Sequence, residues 1–157
     1  MVINETYAGR IKVETLTAED IPAVTALERQ CFSSPWDEKL YLAALRRPYF
    51  RLWGIKFSGK LAGYISIYHL GAEMEIINIA VDPGLRRQGV GARLLAYARA
   101  EGLASGVERI ILEVRRSNAA AIALYAAQGF MPAGIRSNYY PDTGEDGLVY
   151  ELQLCEP

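Results

Sequence analysis

The chain has 157 residues, with 17 Lys and Arg residues, 18 Asp and Glu residues and a formal net charge of −1. This length predicts a single domain over residues 1–157, and 51% apolar residues exclude a disordered or low-complexity chain. The near-neutral charge lacks the basic excess that is typical of proteins that bind nucleic acids directly or lie on membrane surfaces.

The N-terminal residues and the few Cys and His residues limit the cellular location and the kinds of chemistry that the sequence predicts. Met1 to Thr6 lack the basic segment and apolar block of a signal peptide, and no apolar run approaches the roughly 20 residues of a membrane span. Cys31 and Cys155 are too few for a disulfide framework, which favours two free thiols over one bridge and predicts a cytoplasmic protein. His69 closes a strand-like run, where we expect a surface or strand-end side chain, and no ligand spacing supports a metal site.

The first half of the chain predicts a strand, two helices and a β-hairpin. Thr17 followed by Asp20 is typical of a helix start, and Pro35 is expected at the first position of the second helix. That second helix has to end before Pro48, and Gly59 lies in the turn of the hairpin. The predicted strands cover residues 11–16, 49–57 and 61–70, and the helices begin near residues 17 and 34.

The second half alternates strands and helices, which predicts a mixed α/β sheet. One helix is expected over residues 89–101 with Gly102 at its end, and an alanine-rich helix over residues 119–128, capped by Asn118 and ended by Gly129. A strand–helix–strand unit places the strands near residues 75–81 and 109–114 in parallel. The remaining predicted strands, at residues 130–138 and 147–154, flank a polar loop over residues 141–146.

A basic, glycine-containing turn links the strand ending at Val81 to the helix that follows. Free N–H groups and the positive end of the dipole at a helix start bind anions. Gly89 and Gly91 leave these N–H groups accessible, and Arg86 and Arg87 add positive charge, which predicts a phosphate or pyrophosphate ligand. The alternative is that the two glycines only allow the helix to pack on the sheet. The turn lacks the Lys-Ser/Thr of a P-loop and the third glycine of a dinucleotide-binding motif.

The spacing Arg86-x-x-Gly89-x-Gly91 after a strand resembles the acetyl-CoA loop of the GCN5-related N-acetyltransferases, the GNAT superfamily. The resemblance runs from about residue 11 to about residue 154 and implies one N-acetyltransferase domain. It also implies the GNAT acyl-CoA N-acyltransferase fold, with a mixed, mostly antiparallel central sheet of about six or seven strands and about four helices. The ribosomal-protein-alanine N-acetyltransferase branch, the RimI type, is similar in the blocks at residues 32–36, 78–83, 112–125 and 138–141.

The resemblance also implies roles for individual residues. Glu113 would accept the amine proton and Tyr125 would protonate the leaving thiolate, in a direct attack of an amine on acetyl-CoA. From the pattern alone, Glu113 is an exposed strand glutamate, and Tyr125 packs the helix end on the core equally well. The residues implied to bind acetyl-CoA are Ile79, Ala80, Val81, Arg86, Arg87, Gln88, Gly89, Val90, Gly91, Ala92 and Asn118.

The acceptor amine is expected on the other side of the cleft. Trp36, Tyr139 and Tyr140 are candidates for its walls, and core or loop packing is the alternative for all three. The branch implies the N-terminal alanine of a small-subunit ribosomal protein as the acceptor. Other N-termini, lysine side chains, a small amine or a non-catalytic CoA-binding module are the alternatives. We expect a monomer or weak dimer whose partner is a protein N-terminal peptide rather than nucleic acid or membrane.

Some positions depart from the branch or have no assigned role. Ala92 stands where close relatives often have Arg, and Tyr150 stands where methionine is common. The loop over residues 141–146 is slightly shorter than is usual in the branch. Glu73 and Glu75 are interpreted as surface charge in preference to a site for a cationic group.

Overall fold

The structure is a computed structural model that describes residues 11–154. The predictions for Met1 to Thr6, which lack a signal-peptide pattern, and for the thiol of Cys155 lie outside the described residues. Cys31 has a free thiol. Within residues 11–154, no helix is both long enough and apolar enough to cross a membrane.

Strands and helices alternate along the described chain. The strands are β1 (Val13–Thr15), β2 (Phe50–Phe57), β3 (Lys60–Leu70), β4 (Glu73–Val81), β5 (Arg109–Arg115), β6 (Met131–Arg136) and β7 (Gly147–Gln153). The helices are α1 (Ile21–Cys31), α2 (Glu38–Leu45), α3 (Val90–Ala104) and α4 (Ala119–Ala127). Short 3-10 turns precede α1 and follow β4.

The seven strands form one sheet in the order β1-β2-β3-β4-β5-β7-β6. The pair β4 and β5 is parallel. The other neighbouring pairs of the described strands are antiparallel. These findings confirm the predicted mixed, mostly antiparallel α/β fold and the parallel pair between the predicted strands at residues 75–81 and 109–114.

Side-chain alternation along β2 and β3 builds a core on each face of the sheet. Leu52 and Tyr64 pack in the cluster that contains the apolar residues of α1 and α2. Trp53 and Ile65 point to the opposite face and pack in the cluster that contains the apolar residues of α3. Helices α1 and α2 therefore cover one face of the sheet, and α3 covers the other.

Several local sequence signals are confirmed. The backbone N–H of Thr17 donates to the Asp20 carboxylate at 2.8 Å, as expected for the predicted cap. Gly59 in the β2–β3 turn has a φ of +78°, a backbone conformation that favours glycine. His69 lies at the end of β3, where its Nε2 is 3.1 Å from the carbonyl oxygen of Gly71.

The start of α2 differs from the prediction. The helix begins at Glu38, so the first helical position predicted at Pro35 is wrong. Asp37 is the cap, because its carboxylate accepts the backbone N–H of Leu40 at 2.9 Å. The residues just before this cap are consequently non-helical and available to line a cavity.

The end of α3 also differs from the prediction. The helix continues past Gly102 to Ala104. A Cβ atom on Gly102 would lie 3.2 Å from Cδ1 of Leu154 and 3.4 Å from Cβ of Val107. This glycine therefore gives room for the packing of α3 against the end of the chain and does not terminate the helix.

Strand β4 separates from β5 partway along its length. The register between β3 and β4 shifts after the Ser66–Asn78 pair, so that Ile77 is an extra, bulged residue in β4. The parallel ladder ends at the Ile76–Leu112 pair, whereas β5 continues beside β7. The separation of the two strands leaves a cleft in the middle of the sheet.

Candidate active site

A cavity of about 780 Å³ opens where β4 and β5 separate. Its walls come from both strands, from α4, and from the segments that precede α2 and β7. The sequence-predicted site residues that line it are Trp36, Ile79, Glu113, Asn118, Tyr125, Tyr139 and Tyr140. The other predicted residues, Ala80, Val81 and residues 86–92, lie in the adjoining end of β4 and in the turn into α3. The cavity thus brings together both proposed proton-transfer residues and all three proposed acceptor-wall residues.

Glu113 lies on the cavity side of β5, whereas its neighbours Leu112 and Val114 are buried in the core. Its side chain is 20% exposed, and its Oε1 lies 2.6 Å from Nε of Arg136 on β6. A hydrogen bond to Glu113 raises the pKa of the Tyr139 phenol. Glu113 is therefore a cavity residue whose carboxylate is paired with Arg136, rather than a freely exposed strand glutamate. Its partner Arg136 was not identified from the sequence.

A second carboxylate, that of Glu75 on β4, lines the same cavity. Burial raises the pKa of Glu75, and the negative charges of Glu113 and Glu73 raise it further. Glu73 forms an ion pair with Nη2 of Arg109 at 2.9 Å and does not line this cavity. The surface-charge interpretation therefore fits Glu73, whereas Glu75 belongs to the site.

Tyr125 lies in the last turn of α4 and is 5% exposed. Its ring centroid is 5.7 Å from that of Phe130, so it packs on the core and lines the cavity at the same time. Burial raises the pKa of its phenol, which keeps the group protonated at neutral pH. The cavity therefore holds a phenolic proton donor as well as the carboxylate of Glu113.

Asn118 caps α4. Its side-chain oxygen accepts the backbone N–H of Ala121 at 3.1 Å, which confirms the predicted helix cap. Both residues also line the cavity. The contact between Asn118 and the arm of CoA that the resemblance implies remains a prediction.

The two glycines of the turn before α3 have different roles. Gly89 directly precedes the helix with a φ of +84°, and a Cβ atom added there would meet nothing within 4 Å. A Cβ atom on Gly91 would lie 2.9 Å from Cδ2 of Leu124 on α4. Gly89 thus keeps the helix start open, whereas Gly91 allows α3 and α4 to pack closely. The alternative considered from the sequence, that a glycine of this turn only allows close packing of the helix, therefore applies to Gly91.

The basic side chains of this turn are exposed, and one of them contacts α1. Nη2 of Arg86 lies 3.5 Å from Sγ of Cys31, and the same sulfur lies 3.7 Å from the carbonyl oxygen of Val81. Arg87 has a φ of +61°. The backbone N–H groups of the first turn of α3 have no partner within the helix, so this end of the helix is suited to an anion.

Three aromatic side chains from the segments before α2 and β7 also line the cavity. The ring of Trp36 stacks on Phe50 with centroids 6.5 Å apart, so it contributes to the core as well as to the cavity wall. The rings of Tyr139 and Tyr140 meet edge to face with centroids 5.1 Å apart. These side chains therefore pack against neighbouring rings and also line the cavity, so the packing alternative and a position in the cavity wall both apply.

A network that we call the Arg115 clamp joins two segments of this wall; it consists of Arg115, Ser33, Asp142 and Glu145. The Arg115 guanidinium lies 2.8 and 2.9 Å from the two carboxylate oxygens of Asp142 and 3.2 Å from Glu145. Ser33 donates to Asp142 at 2.9 Å. The guanidinium of Arg115 favours the charged carboxylate and holds the pKa of Asp142 at about 2. No signal in the sequence identified the clamp.

An open helix start suited to a phosphate group, beside a cavity with a proton donor and a carboxylate, is the arrangement expected of a group-transfer enzyme. The sequence pattern of the Acetyltransferase (GNAT) family matches residues 21–130. The chain therefore belongs to the GNAT family of acetyltransferases, as its motifs implied. It is an N-acetyltransferase, and its acetyl donor is acetyl-CoA.

Individual relatives and structures agree with this assignment. The chain is 38% identical over 144 residues to the ribosomal protein bS18-alanine N-acetyltransferase of Escherichia coli K12, covering 90% of this chain and 97% of that protein. It is 36% identical over 157 residues to the N-alpha-acetyltransferase RimI of Mycobacterium tuberculosis, covering 94% and 95%. The crystal structure of the ribosomal-protein-S18-alanine N-acetyltransferase from Escherichia coli superposes with a TM-score of 0.86 at 36% identity, covering 94% and 96%.

Proposed function

We propose that this N-acetyltransferase acts on the N-terminal α-amine of a protein, and that its preferred acceptor is the N-terminal alanine of a small-subunit ribosomal protein. The observation that carries the proposal is that Glu113 and Tyr125 line one cavity, beside the open start of α3. The name of the Escherichia coli relative, which specifies an alanine of ribosomal protein bS18, supports this choice of acceptor.

The chemistry needs one group to accept a proton and one to donate a proton. The acceptor amine attacks the thioester carbon, so that a C–N bond forms and the C–S bond breaks. An α-amine has a pKa of about 7.7–8.0, so a useful fraction is neutral at neutral pH. Glu113 receives the proton that the amine loses, directly or through one water, and Tyr125 protonates the departing sulfur. Burial favours the neutral form of a thiol as well as that of a phenol, so the cavity favours a protonated leaving group.

The donor side uses mainly backbone groups. We assign the phosphates of acetyl-CoA to the turn over residues 86–92, and the arm of CoA to Asn118 and the edge of β4 at residues 79–81. Because β4 leaves the parallel ladder after Ile76, its edge N–H and C=O groups are released from β5. One such N–H group polarises the thioester oxygen. Ala92 supplies a backbone N–H group but no side-chain charge.

The acceptor side uses side chains. Trp36, Tyr139 and Tyr140 are large aromatic residues that leave room for a small first residue of the acceptor. We further propose that the enzyme works in the cytoplasm as a single domain, as a monomer or weak dimer, without contact to nucleic acid or membrane. The relatives named for ribosomal protein bS18 support a protein as its partner.

Three peptides test the proposal: one starting with Ala and containing an internal lysine, the same peptide with a blocked N-terminus, and the same peptide starting with Trp. We expect release of free CoA thiol with the first peptide and an acetyl group that mass spectrometry locates on its N-terminus. The blocked peptide should be inert and the Trp peptide poor. Acetylation of the internal lysine with an untouched N-terminus would favour the lysine alternative instead.

A further inference from the structure

Glu28 on α1 is a fully buried carboxylate that the mechanism above does not use. Its Oε2 accepts the backbone N–H of Trp36 at 2.5 Å, and its Oε1 accepts Nδ2 of Asn78 at 2.7 Å. The hydroxyl of Tyr41 also donates to Oε1. Among the described residues, no Lys or Arg forms a salt bridge with Glu28.

The stability of the fold alone does little to explain why a carboxylate occupies this position. A buried charge without a counter-ion is costly, and an apolar side chain of similar volume commonly packs such a position as well or better. Tyr41 and Tyr64, which lie next to the carboxylate, are fully buried, and burial raises the pKa of both phenols. The role of a carboxylate at position 28 therefore lies in the groups that its hydrogen bonds connect.

Two of these hydrogen bonds lead to two different chain segments that line the cavity. Trp36 belongs to the non-helical segment before α2 and forms part of the acceptor wall. Asn78 directly follows the bulged residue Ile77, and its backbone N–H donates to Ser66 Oγ at 3.1 Å. Ile77 and Asn78 both line the cavity on its β4 side. One carboxylate thus links the proposed acceptor wall to Asn78, which directly precedes the strand edge at residues 79–81 that we assign to the thioester.

We propose that Glu28 is a positioning residue for acetyl transfer. Its carboxylate fixes the distance between the Trp36 wall and the bulge of β4, and so aligns the acceptor amine with the thioester. This inference rests on the proposed function, because it assigns the amine to one wall and the thioester to the other. A misplacement of about 1 Å between reacting groups lowers the rate about 100-fold, so a small shift of either wall is sufficient to affect turnover.

The substitution Glu28→Gln tests this role with little change in volume. It replaces one acceptor oxygen by an NH₂ donor and therefore breaks at least one of the hydrogen bonds. We expect kcat to fall by about tenfold or more. The dissociation constant of acetyl-CoA should stay within about twofold of the wild-type value, because the phosphate turn lies outside this network.

Two controls separate positioning from general destabilisation. Val24→Ala opens space at another fully buried position of α1 and destabilises the fold without touching a polar contact of the site. Tyr41→Phe removes one hydrogen bond of Glu28 but leaves both links to the cavity walls. Below the unfolding transition of each variant, both should retain kcat within about threefold. An equal loss of kcat in these controls and in Glu28→Gln, or an unchanged kcat in folded Glu28→Gln, would overturn the proposal.

Asn78→Ala removes the strand-side link from a half-buried position and provides the test if Glu28→Gln does not fold. It should lower kcat as Glu28→Gln does, again with normal acetyl-CoA binding; a wild-type kcat would refute the role of Glu28. All rates are measured with the acceptor that the wild-type enzyme uses best. If that acceptor carries a lysine amine, the proposed function is wrong while the comparison of variants still decides the role of Glu28. Wild-type enzyme that acetylates no amine would refute both.

Discussion

The proposed donor and acceptor sides of the cavity are built differently. On the donor side, the turn before α3 and the edge of β4 present backbone groups, and Gly89 leaves the helix start open. On the acceptor side, the wall depends on side-chain contacts between distant parts of the chain. Ser33 lies 109 residues before its partner Asp142, and Glu28 lies 50 residues before Asn78.

Under the proposed site assignments, this difference predicts that one side is general and the other specific for the acceptor. All acetyl-CoA molecules carry the same phosphates, so backbone N–H groups at a helix start are sufficient to bind them. The acceptor varies between enzymes, and its site requires side chains held in a defined arrangement. We propose that the Arg115 clamp and the Glu28 network supply that arrangement here. The two sides should therefore respond to substitution in different kinetic constants.

The largest expected effect concerns the proton donor between the two sides. Tyr125→Phe removes the phenol while keeping the packing on Phe130. Turnover should fall by about 10²–10⁴-fold, the range for loss of one proton-transfer group. Acetyl-CoA binding, measured by calorimetry, should be unchanged. Wild-type turnover under saturating substrates, with chemistry rate-limiting, would remove Tyr125 from the mechanism.

The donor side is tested by Gly89→Ala. A residue other than glycine at its φ of +84° costs about 1–2 kcal/mol, and the added Cβ lies at the open helix start. Gly89→Val, with its branched side chain, should be worse. We expect the dissociation constant of acetyl-CoA to rise by about tenfold or more while the peptide KM changes little.

Gly59→Ala is the matched control, because Gly59 also has a left-handed φ and its Cβ would also meet nothing within 4 Å. It lies in the β2–β3 turn, outside the cavity lining. It should carry the same strain but retain acetyl-CoA affinity. Equal affinity losses in both variants, or none in Gly89→Ala, would contradict the phosphate assignment.

The acceptor side is tested by Arg115→Ala. Loss of this guanidinium releases Asp142 and Glu145 and removes the cation above the ring of Tyr140. We expect the peptide KM to rise by about tenfold, corresponding to roughly 1.4 kcal/mol, with acetyl-CoA affinity retained. Arg109→Ala, which breaks two ion pairs elsewhere on β5, should leave the peptide KM unchanged. A changed acetyl-CoA affinity with a normal peptide KM would contradict this division.

The smallest effect concerns the titration of the clamp. Hydrogen bonds from Arg115 hold the pKa of Asp142 at about 2, below its unfolded value of about 3.9. Its stabilising contribution is therefore complete above the unfolded pKa and is lost as the pH falls through about 2. In Arg115→Ala, a carbon-detected NMR titration should show the Asp142 pKa raised toward its unfolded value, although the hydrogen bonds from Ser33 and Thr143 still lower it.

Asp20 is the internal control for this titration. Burial is the largest single influence and raises its pKa, but the hydrogen bonds from Lys56 and Thr17 and the charge of Lys56 together leave the pKa lowered. The Arg115 substitution should not move it. A wild-type Asp142 pKa near 3.9 would show that the clamp does not form in solution.

Local sequence patterns located the turn before α3 and the cap of α4, whereas they did not predict the long-range contacts that hold the acceptor wall. Glu113, Asn118 and the glycine turn follow regular strands and helices, so alternation and capping locate them. The roles of Glu113 and Tyr125 came from the family resemblance and remain predictions. The start of α2 was misplaced because Pro35 resembles a first helical residue, whereas Asp37 forms the actual cap.

The site residues that the sequence did not identify were missed for one physical reason. Arg136 reaches Glu113 only because β7 pairs with β5 and β6 pairs with the other edge of β7. Arg115 and Asp142 look like ordinary surface charges until the loop before β7 is placed against β5. Glu28 fits the helical pattern of α1, and its partners are separated from it along the chain. Such pairs depend on the order of the strands, which local patterns do not encode.

The pH dependence of Glu113→Gln tests most directly the claim that this carboxylate accepts the amine proton. With an Ala-starting peptide and saturating acetyl-CoA, the variant should lose about 10²–10⁴-fold in kcat near neutral pH. Its rate should recover as the pH rises above the pKa of the α-amine, about 7.7–8.0, because an amine that is already neutral needs less help from a base. A variant with the wild-type rate and the wild-type pH profile would contradict the account.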